Sequence, residues 1–257
     1  MKGEAASQLI IALDFGSLPE SIRILKKLKG RFGLVKVGNQ LFTSVGPAGV
    51  KKLAPLVPGI FLDLKFCDIP NTVSKAVAAA AKLPKVRLLT IHTTGGLDML
   101  RAAKQALTDA KNPPKLVGVT VLTSLDDAKI ARIGLAGPLT TRVQELARLA
   151  KEAGMDGVTA SPHEFPALRP IVGNEMLLVA PGVRPTTGAA QTAAHDQARV
   201  ATPGEAIQLG ADYLVVGRAI TAAADPAKAA DAILEEMDAA RKVRAEGSRA
   251  KSAANAT

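Results

Sequence analysis

Eight short β-type runs alternate with Ala-rich amphipathic stretches along this chain, and no other feature constrains its fold as much. The runs are Leu9 to Asp14, Leu34 to Gly38, Ile60 to Lys65, Leu88 to His92, Lys115 to Leu122, Gly157 to Ala160, Met176 to Ala180 and Tyr213 to Gly217. Leu9-Ile-Ile-Ala-Leu13 and Met176-Leu-Leu-Val-Ala180 are nearly continuous apolar segments, as expected of parallel strands buried on both faces. The stretch from Val73 to Lys82, entered through Pro70, reads as helix. Repeated βα units admit two architectures, an open doubly wound sheet and a closed barrel.

The position of the polar residues favours closure. Asp14 ends the first run, Lys36 lies near the end of the second, Asp63 and Lys65 end the third and His92 the fourth; Thr123 follows the fifth and Arg218 the eighth. Only a barrel gathers these ends at one mouth, and barrel enzymes place their active sites at that face. The reading is an α/β protein, a single-domain (β/α)8 TIM barrel over residues 1–240, with residues 241–257 a basic Ala/Ser-rich tail expected to be frayed.

Composition narrows the class of function. No apolar run reaches the roughly 18 residues of a membrane span, and the N-terminus lacks the pattern of a secretory leader, so a cytoplasmic protein without a membrane partner is expected. Cys67 is the only cysteine, which excludes an intrachain disulfide and a multi-cysteine metal site; a buried packing role is expected for it. The net charge of +10 comes with one Tyr, no Trp and no nucleic-acid-binding motif, so nucleic acid is not expected as a partner. A positive surface can instead steer an anionic small molecule toward its site.

Two segments carry chemistry. In Asp63-Leu-Lys65-Phe-Cys-Asp68-Ile-Pro-Asn-Thr72 a carboxylate and an ammonium stand two residues apart on an apolar strand, and a period of two turns them to one face. Buried charges are costly unless paired, so the pair signals a site. The second segment comprises Pro181-Gly-Val-Arg184, a long polar loop through Asp196-Gln197, and Val215-Val-Gly217-Arg218. Loops after the last two strands are the usual phosphate position in barrels, where glycine admits an anion close to the backbone and arginine pairs with it.

These residues resemble the orotidine 5'-phosphate decarboxylase family, the last enzyme of UMP synthesis, in its bacterial form. The likeness is carried, in order, by Ala12-Leu-Asp14, Val35-Lys36-Val-Gly38, the Asp63 to Thr72 run, His92, Val119-Thr-Val-Leu-Thr123-Ser124, Pro181-Gly-Val-Arg184, Asp196-Gln197 and Val216-Gly217-Arg218. A lone D-x-K-x-x-D is weak, but its ordered company is specific.

The resemblance implies decarboxylation without cofactor or metal. It implies that Lys65 delivers a proton to C6 of the pyrimidine as carbon dioxide leaves, with Asp63 and Lys36 completing a charged network. It implies that Asp14 and Lys36 bind the ribose hydroxyls, that Thr123 contacts the pyrimidine, and that Arg184, Gln197, Gly217 and Arg218 hold the 5'-phosphate. The segment from Arg184 to Gln197 is a few residues longer than the family pattern, which leaves Gln191 as an alternative to Gln197. Asp68 and Thr72 are implied to reach into a partner's site, hence a homodimer; from the residues alone, Asp68-Ile-Pro-Asn-Thr72 is also ordinary helix-entry chemistry.

His92 is expected to be hydrogen-bonded beneath the site rather than to act as base or metal ligand, and His163 and His195 lack ligand spacing. Two other readings stand beside the decarboxylase. One is a metal-dependent relative of the 3-keto-gulonate 6-phosphate decarboxylase or hexulose phosphate synthase kind, with an enediolate held by a divalent ion. The other is a barrel that binds a phosphorylated ligand without chemistry.

Overall fold

A computed structural model describes residues 3–185 and 201–254. Its eight strands are β1 (Leu9–Ala12), β2 (Leu34–Gly38), β3 (Ile60–Phe66), β4 (Val86–His92), β5 (Lys115–Val119), β6 (Gly157–Thr159), β7 (Leu177–Ala180) and β8 (Tyr213–Val216). They pair in sequence order, all parallel, and β1 pairs with β8 to close the barrel. The helices are α1 (Glu4–Gln8), α2 (Leu18–Lys27), α3 (Asn39–Leu53), α4 (Pro70–Ala81), α5 (Leu97–Gln105), α6 (Asp127–Arg132), α7 (Leu139–Glu152), α8 (Phe165–Val172), α9 (Pro203–Gln208), α10 (Arg218–Thr221) and α11 (Pro226–Ala254). This is the (β/α)8 barrel rather than the open sheet.

Strand periodicity divides the apolar residues into two cores. Leu9, Ile11, Val35, Val37, Ile60, Leu62, Leu89 and Ile91 face outward into the layer shared with the helices. Their alternates Ile10, Leu34, Phe61, Leu88, Val117, Val179 and Val215 fill the barrel interior. Each such buried side chain contributes about 1.5–3 kcal/mol relative to exposure. Two residues further along β2, β3 and β4, the same inward face carries Lys36, Asp63 and Thr90. An apolar plug therefore floors a polar layer.

Expected and observed boundaries differ where pairing runs out. β1 stops at Ala12, although Leu13 N–H still donates to the Lys36 carbonyl at 3.0 Å, and Asp14 stands just beyond. β5 ends at Val119 because its neighbour β6 offers only Gly157–Thr159 to pair with. α4 starts at Pro70, whose fixed φ and missing N–H suit the first helical position. α11 runs through the 240/241 division read from the sequence; on it Arg241 donates to Gln8 Oε1 at 2.8 Å and pairs with Glu4, and Arg244 donates to the Ile207 carbonyl at 3.1 Å.

Cys67 corrects an expectation. β3 ends at Phe66 and the thiol emerges on the rim, exposed rather than packed inside. Among the described residues, no helix is long and apolar enough to cross a membrane.

Candidate active site

The C-terminal ends of the strands surround a cavity of about 1040 Å³, and eight of the residues singled out in the sequence line it: Asp14, Lys36, Asp63, Lys65, Thr123, Arg184, Gly217 and Arg218. Gln197, its alternative Gln191, and also His195 and Asp196 lie outside the described residues. Asp68 and Thr72 do not line the cavity of their own chain. Both are exposed beyond β3; Asp68 Oδ1 accepts from Ile69 N–H at 2.6 Å, and Thr72 N–H donates to the Ile69 carbonyl in the first turn of α4.

At the floor of the cavity, charges alternate across three strands. Lys36 Nζ donates to Asp14 Oδ1 at 2.8 Å and lies 3.6 Å from Asp63 Oδ2; Lys65 Nζ donates to Asp63 Oδ1 at 2.8 Å. The register explains the first contacts, since Ala12 stands opposite Lys36 and Gly38 opposite Asp63. Exposure rises outward, from 11% for the Asp63 side chain and 12% for Lys36 to 30% for Lys65 and 54% for Asp14. The most buried charge is thus the carboxylate with an ammonium on each side, which is how a buried ion is kept affordable.

Burial pushes the Asp63 carboxyl upward, but the Lys36 and Lys65 charges, with hydrogen bonds from Lys65 and Thr90, outweigh it and hold the pKa below the ordinary 3.8. Asp63 is accordingly ionised at neutral pH. His92 goes the other way: burial, then the Lys65 charge, lowers its pKa below 6.5 against the opposing pull of Asp63. It is a neutral, half-buried imidazole beside the network, not a cation in it. The hydrogen bond expected of it is not among those the described residues make.

Lys65 reaches Asp63 by a route that simple alternation does not anticipate. Its φ is +50°, in the left-handed region that non-glycine residues seldom occupy. The register with β4 jumps from Leu62 opposite Leu89 to Phe66 opposite Ile91, so Asp63, Leu64 and Lys65 together face the single residue Thr90. Such bulges re-aim side chains beside active sites. The Thr90 hydroxyl accepts from Lys65 N–H at 2.9 Å and donates to Asp63 Oδ1 at 2.9 Å.

Sequence reasoning missed Thr90, because threonine is a common strand residue and nothing marks this one in Leu-Leu-Thr-Ile-His. The available signal was a hydroxyl at the inward register of Asp63 on the neighbouring strand. Gln40 and Lys228 also line the cavity without having been singled out, as does Ser124, which was noted only as part of the Val119 to Ser124 run.

On the far side, Gly217 and Arg218 form the turn from β8 into α10, and Val183 is bridged to Ala201, with Arg184 N–H donating to the Ala201 carbonyl at 3.0 Å. A Cβ added to Gly217 would meet only ordinary contacts, 3.4 Å from Ala12 Cβ and 3.8 Å from Asp14 Oδ2, so packing alone does not require glycine there. The cavity thus has a charged floor built on β1 to β3 and a guanidinium-bearing wall after β7 and β8.

Both the sequence and the fold have relatives. Residues 7–233 match the model of the orotidine 5'-phosphate decarboxylase / HUMPS family. An orotidine 5'-phosphate decarboxylase of Nitrosococcus oceani is 49% identical over 231 residues, covering 90% of this chain and 97% of that one. That of Trichlorobacter lovleyi is 44% identical over 239 residues, covering 92% and 97%. The crystal structure of orotidine 5'-phosphate decarboxylase from Lactobacillus acidophilus superposes with a TM-score of 0.75 at 38% identity, covering 89% of this chain and 98% of that one. With its barrel closed, its charged layer in place and its match spanning nearly the whole barrel, this chain belongs to the orotidine 5'-phosphate decarboxylase / HUMPS family.

Proposed function

We infer that this chain is an orotidine 5'-phosphate decarboxylase, a carboxy-lyase that forms UMP and carbon dioxide in pyrimidine biosynthesis. The observation that carries the reading is the alternating chain Asp14, Lys36, Asp63, Lys65 on the cavity floor. The supporting likeness is to relatives 42–49% identical that bear that name.

In this reaction the bond from C6 of the pyrimidine to its carboxylate breaks, and the electron pair stays on C6. No neighbouring carbonyl delocalises that charge. An ammonium fixed beside C6 stabilises it and then transfers a proton to it, so that carbon dioxide leaves and UMP remains. Lys65 fits the task because Asp63 holds its ammonium from one side. The Asp63 carboxylate also lies near the position of the departing carboxylate; we give greater weight to stabilisation of the carbanion than to that repulsion. The scheme uses no metal and no cofactor.

Substrate binding divides between the two walls. Asp14 and Lys36 take the ribose hydroxyls, Thr123 the pyrimidine, and Arg184, Gly217 and Arg218 the phosphate, with Gln197 assigned there by family likeness. Binding energy from the remote phosphate is then available to the reacting centre.

We further propose a homodimer in which Asp68 and Thr72 complete the site of the second copy. Their exposure outside their own cavity, beside Ile69 at 66% exposure, supports that role. We place the catalytic unit in residues 1–240, leave 241–257 outside the chemistry, and assign the protein to the cytoplasm.

The test is the loss of orotidine 5'-phosphate absorbance with purified protein, with and without chelator. Turnover unaffected by chelator is the expected result. No turnover in either arm would overturn the reading, and turnover abolished by chelator would move the chain to metal-dependent chemistry.

A further inference from the structure

We propose that Thr90 is a positioning residue of the decarboxylase, holding the Lys65 backbone and the Asp63 carboxylate in one arrangement through a single hydroxyl. The inference rests on the decarboxylase reading for its kinetic consequence, and on the geometry alone for its structural one.

Three residues of β3, from Asp63 to Lys65, stand against Thr90 alone on β4. A bulge of that size leaves backbone groups without their ladder partners. Lys65 N–H is one of these, and the Thr90 hydroxyl oxygen accepts it at 2.9 Å. The same hydroxyl has one proton to donate, and it goes to Asp63 Oδ1 at 2.9 Å. Oδ1 is also the oxygen that receives Lys65 Nζ at 2.8 Å.

One hydroxyl therefore closes a small circuit through both ends of Lys65. The ring runs from Lys65 N–H to Thr90, from Thr90 to Asp63, and from Asp63 back to Lys65 Nζ. It bears on a lysine whose backbone is held at φ +50°, a conformation that persists only where surrounding contacts enforce it. Thr90 has no exposed surface, so water does not replace its hydroxyl in this arrangement. No substrate contact is needed for this role; Thr90 acts through Lys65 and Asp63.

The electrostatic consequence depends on everything facing Asp63. Lys36 on β2 and Lys65 on β3 lower its pKa, and Thr90 adds a hydrogen bond from β4. Asp14, beyond β1, competes for Lys36, and His92, further along β4, faces the same pair as a neutral imidazole. Removing the hydroxyl removes one of the groups that favour the carboxylate, so the Asp63 pKa moves up.

The experiment compares Thr90→Val, which keeps the shape and loses the hydroxyl, with Thr90→Ser, which keeps the hydroxyl. In valine, kcat is expected to fall about tenfold to a hundredfold with KM changed less than about threefold, while serine stays within a few-fold of the parent. The acid limb of the kcat profile and the Asp63 carboxyl titration, followed by carbon NMR and assigned with Asp63→Asn, should both move up by about one pH unit in valine. If valine is not recovered folded, Thr90→Ala and Thr90→Ser make the same comparison, with alanine low and serine near the parent.

An active parent with valine equal to it in kcat and titration overturns the inference, even if valine melts earlier. Equal losses in alanine and serine do the same. An inactive parent counts against the decarboxylase reading instead, and the Asp63 titration still decides whether Thr90 holds the carboxylate.

Discussion

Oδ1 of Asp63 accepts from Lys65 Nζ at 2.8 Å even though Lys65 has left the strand conformation, with φ at +50°. The carboxylate aims the ammonium, and the bulge brings the ammonium to it. Lys65→Arg retains positive charge but loses the readily transferred proton, because a guanidinium stays protonated. Its kcat is expected to fall at least about a thousandfold, as should that of Lys65→Ala. Activity within tenfold of the parent in either variant would remove Lys65 from the chemistry.

Asp63→Asn is isosteric and neutral. It leaves Lys36 with Asp14 but deprives Lys65 of its carboxylate. A drop in kcat of about a hundredfold or more is expected, with the loss persisting at saturating substrate. A change confined to KM would make Asp63 a binding group only.

Gly38 lies against the Lys36 and Asp14 pair. A Cβ there would stand 2.8 Å from Lys36 Nζ and 3.3 Å from Asp14 Oδ1. The ammonium is the flexible end of its side chain and can yield, so Gly38→Ala should fold while parting Lys36 from Asp14. Weaker ribose binding is the expected result, with KM raised about tenfold, and steady-state kinetics beside a circular dichroism melt check it.

Acid should destabilise the fold in two stages. The pKa of His92 is lowered in the folded state, so the unfolded chain binds more protons as pH falls below 6.5, and stability declines toward the folded value. Asp63, also lowered, contributes stability above 3.8 that is lost as pH drops through its folded pKa. His92→Asn should flatten the melting temperature against pH in the first window and leave the second intact. An unchanged slope in the first window would show that the imidazole titrates normally.

A shared site makes a quantitative prediction about mixtures. Lys65→Ala and Asp68→Ala chains are each expected to be nearly inactive. Refolded together in equal amounts they should recover about a quarter of parent activity, since half of the dimers pair unlike chains and each such dimer has one intact site. No recovery, with mixed dimers present, would place Asp68 in its own chain's site or in none.

The barrel was legible because burial on both faces writes apolar runs into a parallel strand, as in Leu9-Ile-Ile-Ala-Leu13. Lys36, Asp63 and Lys65 were legible for the opposite reason: a charge inside such a run is too costly to be accidental. Cys67 was misjudged because a one-dimensional pattern does not show that the strand ends at Phe66 and turns outward. Thr90 was invisible because its role depends on three residues of the adjacent strand, far away in sequence, crowding against it.

Local chemistry along the chain settled which side chains carry charge, which faces of the strands are apolar and in what order the strands alternate with helices. Tertiary structure decided the rest. Pairing of β2 with β1 and β3 set Ala12 opposite Lys36 and Gly38 opposite Asp63, and the β3 bulge turned Lys65 into the left-handed region and back onto Asp63. Hydrogen bonds and ion pairs act over about 3–4 Å, and only packing brings residues from different strands within that reach.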